Sequence, residues 1–349
     1  MAESINRERL IMEKEIANLL KTKHFEMISE LWGGKIDQPI DEVENLVYNV
    51  KCNGRNEILR LTHSSHRSED DVIAELDWVN YLAEHGVKVS VPIHSRNGRL
   101  TEIITVNSSY FIACVFERAP GDFIKSDSTE WNTDFFQSWG RTIGRMHALA
   151  KTYNPEHLKK KRFEWIMAEI LVKAKKFVPL SEMQILQELE QVLQNISSWP
   201  KSPDSYGLVH NDLNPSNFFV HNGEITVFDF DDCCYTWFIW DIAETLPFYS
   251  QKLANVGWKE TIQEVFFHFM VGYIKENQIN TFFLKYLPDC LRFLNLSSVV
   301  FSFEIDEANR KRYNQWFEQV LAVYKNGHNL YTFDFYMFYK AHFQEFIDV

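Results

Sequence analysis

Several features that would commit a chain to one class of protein are missing or scarce here. There is no run of about 18 or more uncharged apolar residues, so nothing reads as a membrane span. The opening residues, MAESINRERLIMEKE, are charged and lack the apolar core of a signal peptide. The five cysteines, Cys52, Cys114, Cys233, Cys234 and Cys290, are odd in number and contain no C-x-x-C pair. That pattern argues against a disulfide framework and a structural zinc site, and a cytoplasmic, reducing setting is expected. Positive charge is short as well. The 36 Lys and Arg stand against 48 Asp and Glu, and the net charge of −12 speaks against nonspecific nucleic-acid binding. Internal repeats and low-complexity linkers are absent. At 349 residues the chain is long for one core and typical of two lobes.

What is present concentrates between Leu208 and Trp240. An apolar pair, Leu208-Val209, leads into His210, followed by Asp212, Pro215 and Asn217. A strand is expected at 218–220 and a turn at His221-Asn222-Gly223. A second strand at 225–228 delivers Asp229 and Asp231 at its end. Two strands and a tight turn make a hairpin, which returns the loops before and after it to one edge. Asp212, Asn217 and Asp229 can therefore converge. Two carboxylates and an amide oxygen form a hard, oxygen-rich site suited to Mg²⁺, which is usually held by one or two protein oxygens plus substrate phosphates.

The run His210-x-Asp212-x-x-Pro215-x-Asn217, the hairpin and the Asp-Phe-Asp end resemble the catalytic core of the aminoglycoside phosphotransferase and choline kinase family. These are small-molecule kinases of the protein-kinase fold. The order and spacing of the loop Asp and Asn also match the protein-kinase catalytic loop. The resemblance implies a bilobal α+β protein with an antiparallel five-stranded N-lobe (1–117) and a largely helical C-lobe (118–349). It implies ATP and Mg²⁺ as cofactors and a small-molecule hydroxyl as acceptor. Asp212 resembles the catalytic base, Asn217 and Asp229 the metal ligands, His210 the structural histidine of the loop, and Asp241 the aspartate that fastens the loop backbone. Asp231 is a further candidate for metal binding or substrate contact.

The first third reads as a helix over 7–30, a Gly33-Gly34 loop, and then strands at 45–50, 58–62, 90–93, 100–106 and 110–116. A helix over about 69–85 has Ser68 with Asp71 as its cap and Gly86 as its stop. On that helix Glu75 falls on the apolar stripe of Val72, Leu76 and Val79, so it faces inward. A buried carboxylate needs a positive partner, and Arg60 on the facing strand is the nearest candidate. Kinases have such a strand-to-helix ion pair, which positions the α- and β-phosphates. The phosphate lid departs from the protein-kinase pattern, because no G-x-G-x-x-G occurs here. The stretch Glu117-Arg118-Ala119-Pro120-Gly121 resembles the interlobe hinge. Adenine is expected to bond backbone groups near Glu117 and Ala119, with Phe116 and Ile58 packing its faces.

The remainder reads as helical, with segments at 133–149, 163–178, 182–196, 257–275, 280–303, 306–325 and 333–346. His147 reads as a structural histidine against the catalytic loop, and Cys233-Cys234 as buried small residues. The aromatic residues of the last segments, with Glu304, Asp306 and Glu307, form either a core or a wall for a cationic acceptor. Three other readings share the pattern. One is a Ser/Thr protein kinase of the bacterial stress-response type, although no Ala-Pro-Glu ending is present. Another is a type II homoserine kinase. The third is a nucleotide-binding pseudokinase acting as an interaction protein.

Overall fold

The computed structural model describes residues 16–41, 45–52, 54–125, 128–165, 168–246, 258–304 and 333–343. The expected helical segment 306–325 and the first 15 residues lie outside these. The described part of the first helix is broken into 16–19 and α1 (Thr22–Trp32), which ends at Gly33 in the left-handed region.

Strands β1 (Gly34–Asp41), β2 (Asn45–Cys52), β3 (Arg55–His63), β4 (Pro92–Ile93), β5 (Glu102–Val106) and β6 (Ser109–Glu117) form one antiparallel sheet. Its order is β1-β2-β3-β6-β4, with β5 also paired to β6. The five expected strands are all present, and β1 is a sixth where a glycine loop was expected. Its register against β2 slips on either side of Pro39. An irregular edge strand is the one place in a sheet that tolerates proline, because its outward N–H needs no partner.

Helix α2 (Glu69–Glu84) packs on this sheet. Ser68 and Asp71 close a reciprocal capping box at its start. Val72, Leu76 and Val79 are buried as the stripe requires, and Glu75 is buried with them at 1% exposure.

The second half is built on α3 (Thr133–Ala150), α4 (Ala168–Phe177), α5 (Met183–Ser197), α6 (Ile239–Thr245), α7 (Trp258–Tyr273), α8 (Leu287–Glu304) and α9 (Phe335–His342). Helices α3 and α7 approach so closely that a Cβ on Gly140 would lie 1.9 Å from the Phe269 carbonyl oxygen, and one on Gly272 would lie 2.0 Å from that of Gln137. Buried aromatic residues, among them Trp139, Phe218, Trp240, Phe266 and Phe269, fill the core around these helices.

Two small hairpins sit against the helices. In one, β8 (Phe218–His221) pairs with β9 (Glu224–Val227). Its two-residue turn, Asn222-Gly223, has φ of 52° and 78°, the conformation that Asn-Gly turns supply. In the other, β7 (Tyr206–Val209) pairs with β10 (Cys234–Trp237). Cys233 and Cys234 are therefore buried at and beside a strand, and burial pushes both thiols up, which makes them poor nucleophiles.

Candidate active site

A cavity of about 470 Å³ lies between the sheet and the helical half. Ile58, Arg60, Phe116 and Ala119 line it from the sheet side, and Asp212, Asn217, Asp229 and Asp231 from the other.

The loop between β7 and β8 is held from beneath by its backbone. The buried Asp241 carboxylate at the start of α6 accepts the His210 amide at 3.1 Å and the Asn211 amide at 2.8 Å. Asp241 is itself held by His147 Nε2 at 3.2 Å, and His147 Nδ1 meets the Tyr273 hydroxyl at 2.9 Å. Burial works to raise the Asp241 pKa, but His147 and His210 outweigh it and keep the carboxyl below its ordinary value. His147 and Asp241 thus take the structural places expected of them.

His210 ties the loop to the hairpin end. Its Nε2–H donates to the Phe228 carbonyl at 3.1 Å, and its Nδ1 accepts the Asp212 amide at 3.4 Å. Burial lowers its pKa, which favours this neutral tautomer. Phe228 also donates its amide to the Asn217 carbonyl at 3.0 Å. One histidine and one backbone bond therefore lock the Asp212–Asn217 loop to the residue before Asp229.

The three expected residues come together. Asn217 Nδ2 donates to Asp212 Oδ2 at 2.6 Å, and Asn214 Nδ2 donates to Oδ1 at 2.8 Å. Burial, reinforced by Asp232, raises Asp212 to about 7 against the opposing amide hydrogen bonds. Asp229 adopts a left-handed backbone with φ of 62°. Such a conformation is uncommon outside glycine and tends to occur where function requires it. Asp229 is exposed to the cavity, and the desolvating walls around it lift its carboxyl to about 6, with Arg60 pulling the other way.

Asp231 has other partners. Its Oδ2 meets His66 Nε2 at 2.6 Å, and Arg67 Nε lies 3.5 Å from Oδ1. The His66 hydrogen bond, with the Arg60 and Arg67 charges, holds its carboxyl well below the ordinary range despite burial. It lines the cavity, but as the anchor of the β3–α2 loop.

Across the cavity, Arg60 and Glu75 form the expected pair. Two bonds of 2.7 Å join Nη1 and Nη2 to the two carboxylate oxygens, with both residues buried. The Arg60 guanidinium lies 5.2 Å from the Phe116 ring, and its Nε–H has no partner among the described residues. At the hinge, the Glu117 amide is taken by the Val91 carbonyl at 2.8 Å, and the Glu117 side chain is exposed.

Sequence reading missed the aromatic lining of Phe123, Phe219 and Phe228. The two-residue alternation along β8, with Phe218 in the core and Phe219 toward the cavity, is a signal that could have found Phe219. His66, Arg67 and Arg162, which hold the loop after β9, carried no local signal.

Among the described residues, no group of three His, Cys, Asp or Glu side chains is placed to hold a metal ion alone. The donor set nevertheless fits a cation shared with phosphates. No side chain hydrogen-bonds Asp229 among the described residues. The amide nitrogen of Asn217 is turned to Asp212, which leaves its oxygen for another partner. A cation held this way by one or two protein oxygens is the usual arrangement for Mg²⁺.

Comparison with known proteins places this geometry. Residues 37–265 match the Phosphotransferase enzyme family. The chain belongs to that family. Amicoumacin kinase of Bacillus subtilis (strain 168) is 37% identical over 261 residues, covering 72% of this chain and 75% of that protein. The solved structure of amicoumacin kinase hAmiN in complex with AMP-PNP, Ca²⁺ and Ami superposes with a TM-score of 0.83 at 29% identity, covering 93% of this chain and 99% of that one. A microcompartment-associated aminopropanol kinase shares the fold, with a TM-score of 0.70 at 19% identity over 88% and 98% of the two chains. This member of the phosphotransferase family is thus a bilobal, kinase-like α+β enzyme, a small-molecule kinase. No described helix is long and apolar enough to cross a membrane.

Proposed function

We propose that the protein moves the γ-phosphoryl group of ATP to a hydroxyl of a small molecule, with Asp212 as the base and with Asn217 and Asp229 holding Mg²⁺. The observation that carries this is the meeting of Asp212, Asn217 and Asp229 in one cavity, opposite a buried guanidinium–carboxylate pair. Phosphoryl transfer needs positioning and charge neutralisation more than covalent chemistry from the protein. Bound Mg²⁺ supplies neutralisation between the phosphates.

The residues supply the rest. Asn214 and Asn217 fix both oxygens of Asp212, so its carboxylate is oriented to accept the proton of the acceptor hydroxyl as the new O–P bond forms. A pKa near 7 suits a base that works at neutral pH. Arg60, braced by Glu75, faces the α- and β-phosphates. Arg in place of Lys keeps its charge when buried and can grip phosphate bidentately. Ile58, Phe116 and Ala119 pack the adenine, with backbone groups from Glu117 to Ala119 at its edge. The Glu117 amide already serves Val91, so donation from the hinge falls to Ala119.

The acceptor we propose is a hydroxyl-bearing compound of the kind that amicoumacin kinase takes.

The test is ADP release with Mg²⁺ and ATP, with and without amicoumacin and a panel of amino alcohols. Stimulation by one acceptor, with kcat lowered on the order of 10²–10⁴-fold in Asp212→Ala, is expected. Unchanged turnover in that variant would remove the base assignment. Nucleotide binding without turnover of any acceptor would point to a nucleotide-binding pseudokinase acting as an interaction protein.

A further inference from the structure

We propose that Arg162 is a positioning residue that clamps helix α2 and the loop carrying Asp229 into one register, so that the Arg60–Glu75 pair and the metal-ligating carboxylate are set together. This rests on the kinase reading above. Arg162 belongs to neither element. It lies between α3 and α4 and is 4% exposed.

Its guanidinium donates to three backbone carbonyls. Nε reaches the Cys233 carbonyl at 2.8 Å, Nη1 the Asp71 carbonyl at 3.1 Å, and Nη2 the Asp231 carbonyl. Burying a full positive charge is costly unless it is well bonded, so spending one on carbonyls needs a reason. The three acceptors supply it. The Asp71 carbonyl is the one that α-helical geometry pairs with the Glu75 amide, one turn on. Asp231 and Cys233 follow Asp229 by two and four residues. A single planar fork thus fixes the origin of the Glu75 turn relative to the backbone that aims Asp229.

Neighbouring contacts hold the clamp itself. The Phe163 ring lies 4.6 Å from the Arg162 guanidinium and 5.1 Å from that of Arg67. Arg67 Nη2 donates to the same Asp231 carbonyl at 3.2 Å. The backbone of residues 163–165 is pinned to β10 through Tyr235 N to Phe163 O at 2.9 Å and Trp165 N to Tyr235 O at 3.0 Å. Arg162 therefore reaches its carbonyls from a fixed base.

The experiment measures calorimetric binding of AMP-PNP with and without Mg²⁺ to the native protein, Arg162→Lys and Phe163→Leu. It also follows hydrogen exchange over 229–234 and the first turn of α2 in the nucleotide-free proteins. Lysine keeps the charge but cannot span three carbonyls. In Arg162→Lys the metal-free affinity is expected to fall about two- to fivefold as Arg60 loses register, while the gain from Mg²⁺ falls further, on the order of 10–100-fold, as when the group orienting a metal ligand is lost. Exchange in the two segments should accelerate together. Where Arg162→Lys does not fold, Phe163→Leu carries the test, with a loss of about two- to fivefold in the same gain. A native-sized Mg²⁺ gain in the folded variant overturns the clamp and leaves the kinase reading standing. A native protein that does not bind AMP-PNP with Mg²⁺ overturns the kinase reading instead, and the clamp with it.

Discussion

Asp229 and Asp231 leave strand β9 two residues apart, yet their surroundings differ in every respect that matters. On the Asp231 side, His66 and Arg67 reach across from the β3–α2 loop and hold the carboxylate charged. On the Asp229 side no hydrogen-bond donor arrives from the described residues, the backbone is left-handed, and the side chain stands exposed in the cavity, whose walls lift the carboxyl to about 6. The same side chain is an anchor in one place and an unsatisfied charge in the other. A carboxylate left without a partner in a cavity is a candidate for one that arrives with the substrate.

This contrast can be broken experimentally. The largest expected effect is on turnover: Asp229→Asn should lower kcat on the order of 10²-fold or more, whereas Asp231→Asn should act first on the fold. In thermal unfolding without nucleotide, Asp231→Asn should lose about 1–3 kcal/mol, because Arg67 and Arg60 lose the carboxylate charge beside them and one of its two oxygens becomes an amide donor. Asp229→Asn should be neutral or slightly more stable at pH 8, because the carboxylate it removes is exposed to water that screens it and has no partner to lose. If both variants lose stability equally, the two aspartates are not distinct.

pH sharpens the same contrast. Asp212 and Asp229 have folded pKa values of about 7 and about 6, above their ordinary 3.8. Between 3.8 and those values only the folded state binds the proton, so their contribution to stability falls as pH rises through 4–7 and is flat above. Asp231 runs the other way: its contribution is complete above 3.8 and is lost only on further acidification. The advantage of Asp229→Asn over the native protein should therefore grow from pH 4 to 7, while the deficit of Asp231→Asn stays level from pH 5 to 8. A level Asp229→Asn difference would show that this carboxyl is not raised.

The smallest effect concerns kcat/KM for the acceptor, which reports the ionisation of the free enzyme. It should rise from pH 6 to 8 with an apparent pKa near 7, as Asp212 loses its proton. A profile already flat at pH 6 would argue against Asp212 as the base.

The parts legible in the sequence share one property: their signals are local. The hairpin is written in an Asn-Gly turn flanked by apolar runs, and the catalytic loop in a fixed spacing of His, Asp and Asn. Glu75 betrayed its partner because a carboxylate on an apolar helix face must find a cation, and the bidentate bond to Arg60 satisfies that need. The illegible parts depend on contacts distant in sequence or on residues that argue against their own element. Strand β1, GKIDQPID, carries Gly, Pro and two Asp, all depleted in strands, and is held by pairing with β2. Strand β10 begins at a cysteine read only as buried and pairs with β7 across the whole catalytic loop. Arg162 meets carbonyls 69 to 91 residues away, and no spacing rule announces a side chain whose partners are backbone atoms.

The grip of Asp241 on the His210 and Asn211 amides has a consequence for how this loop can drift over evolutionary time. Because the bond is to backbone, the identity of the side chain at 211 does not matter to the grip itself. Its φ of 68° nonetheless narrows the choice to residues at ease in a left-handed turn. Asn, Asp or Gly should therefore interchange at 211 with little penalty, while a β-branched residue there should be purged even though it touches neither substrate nor metal.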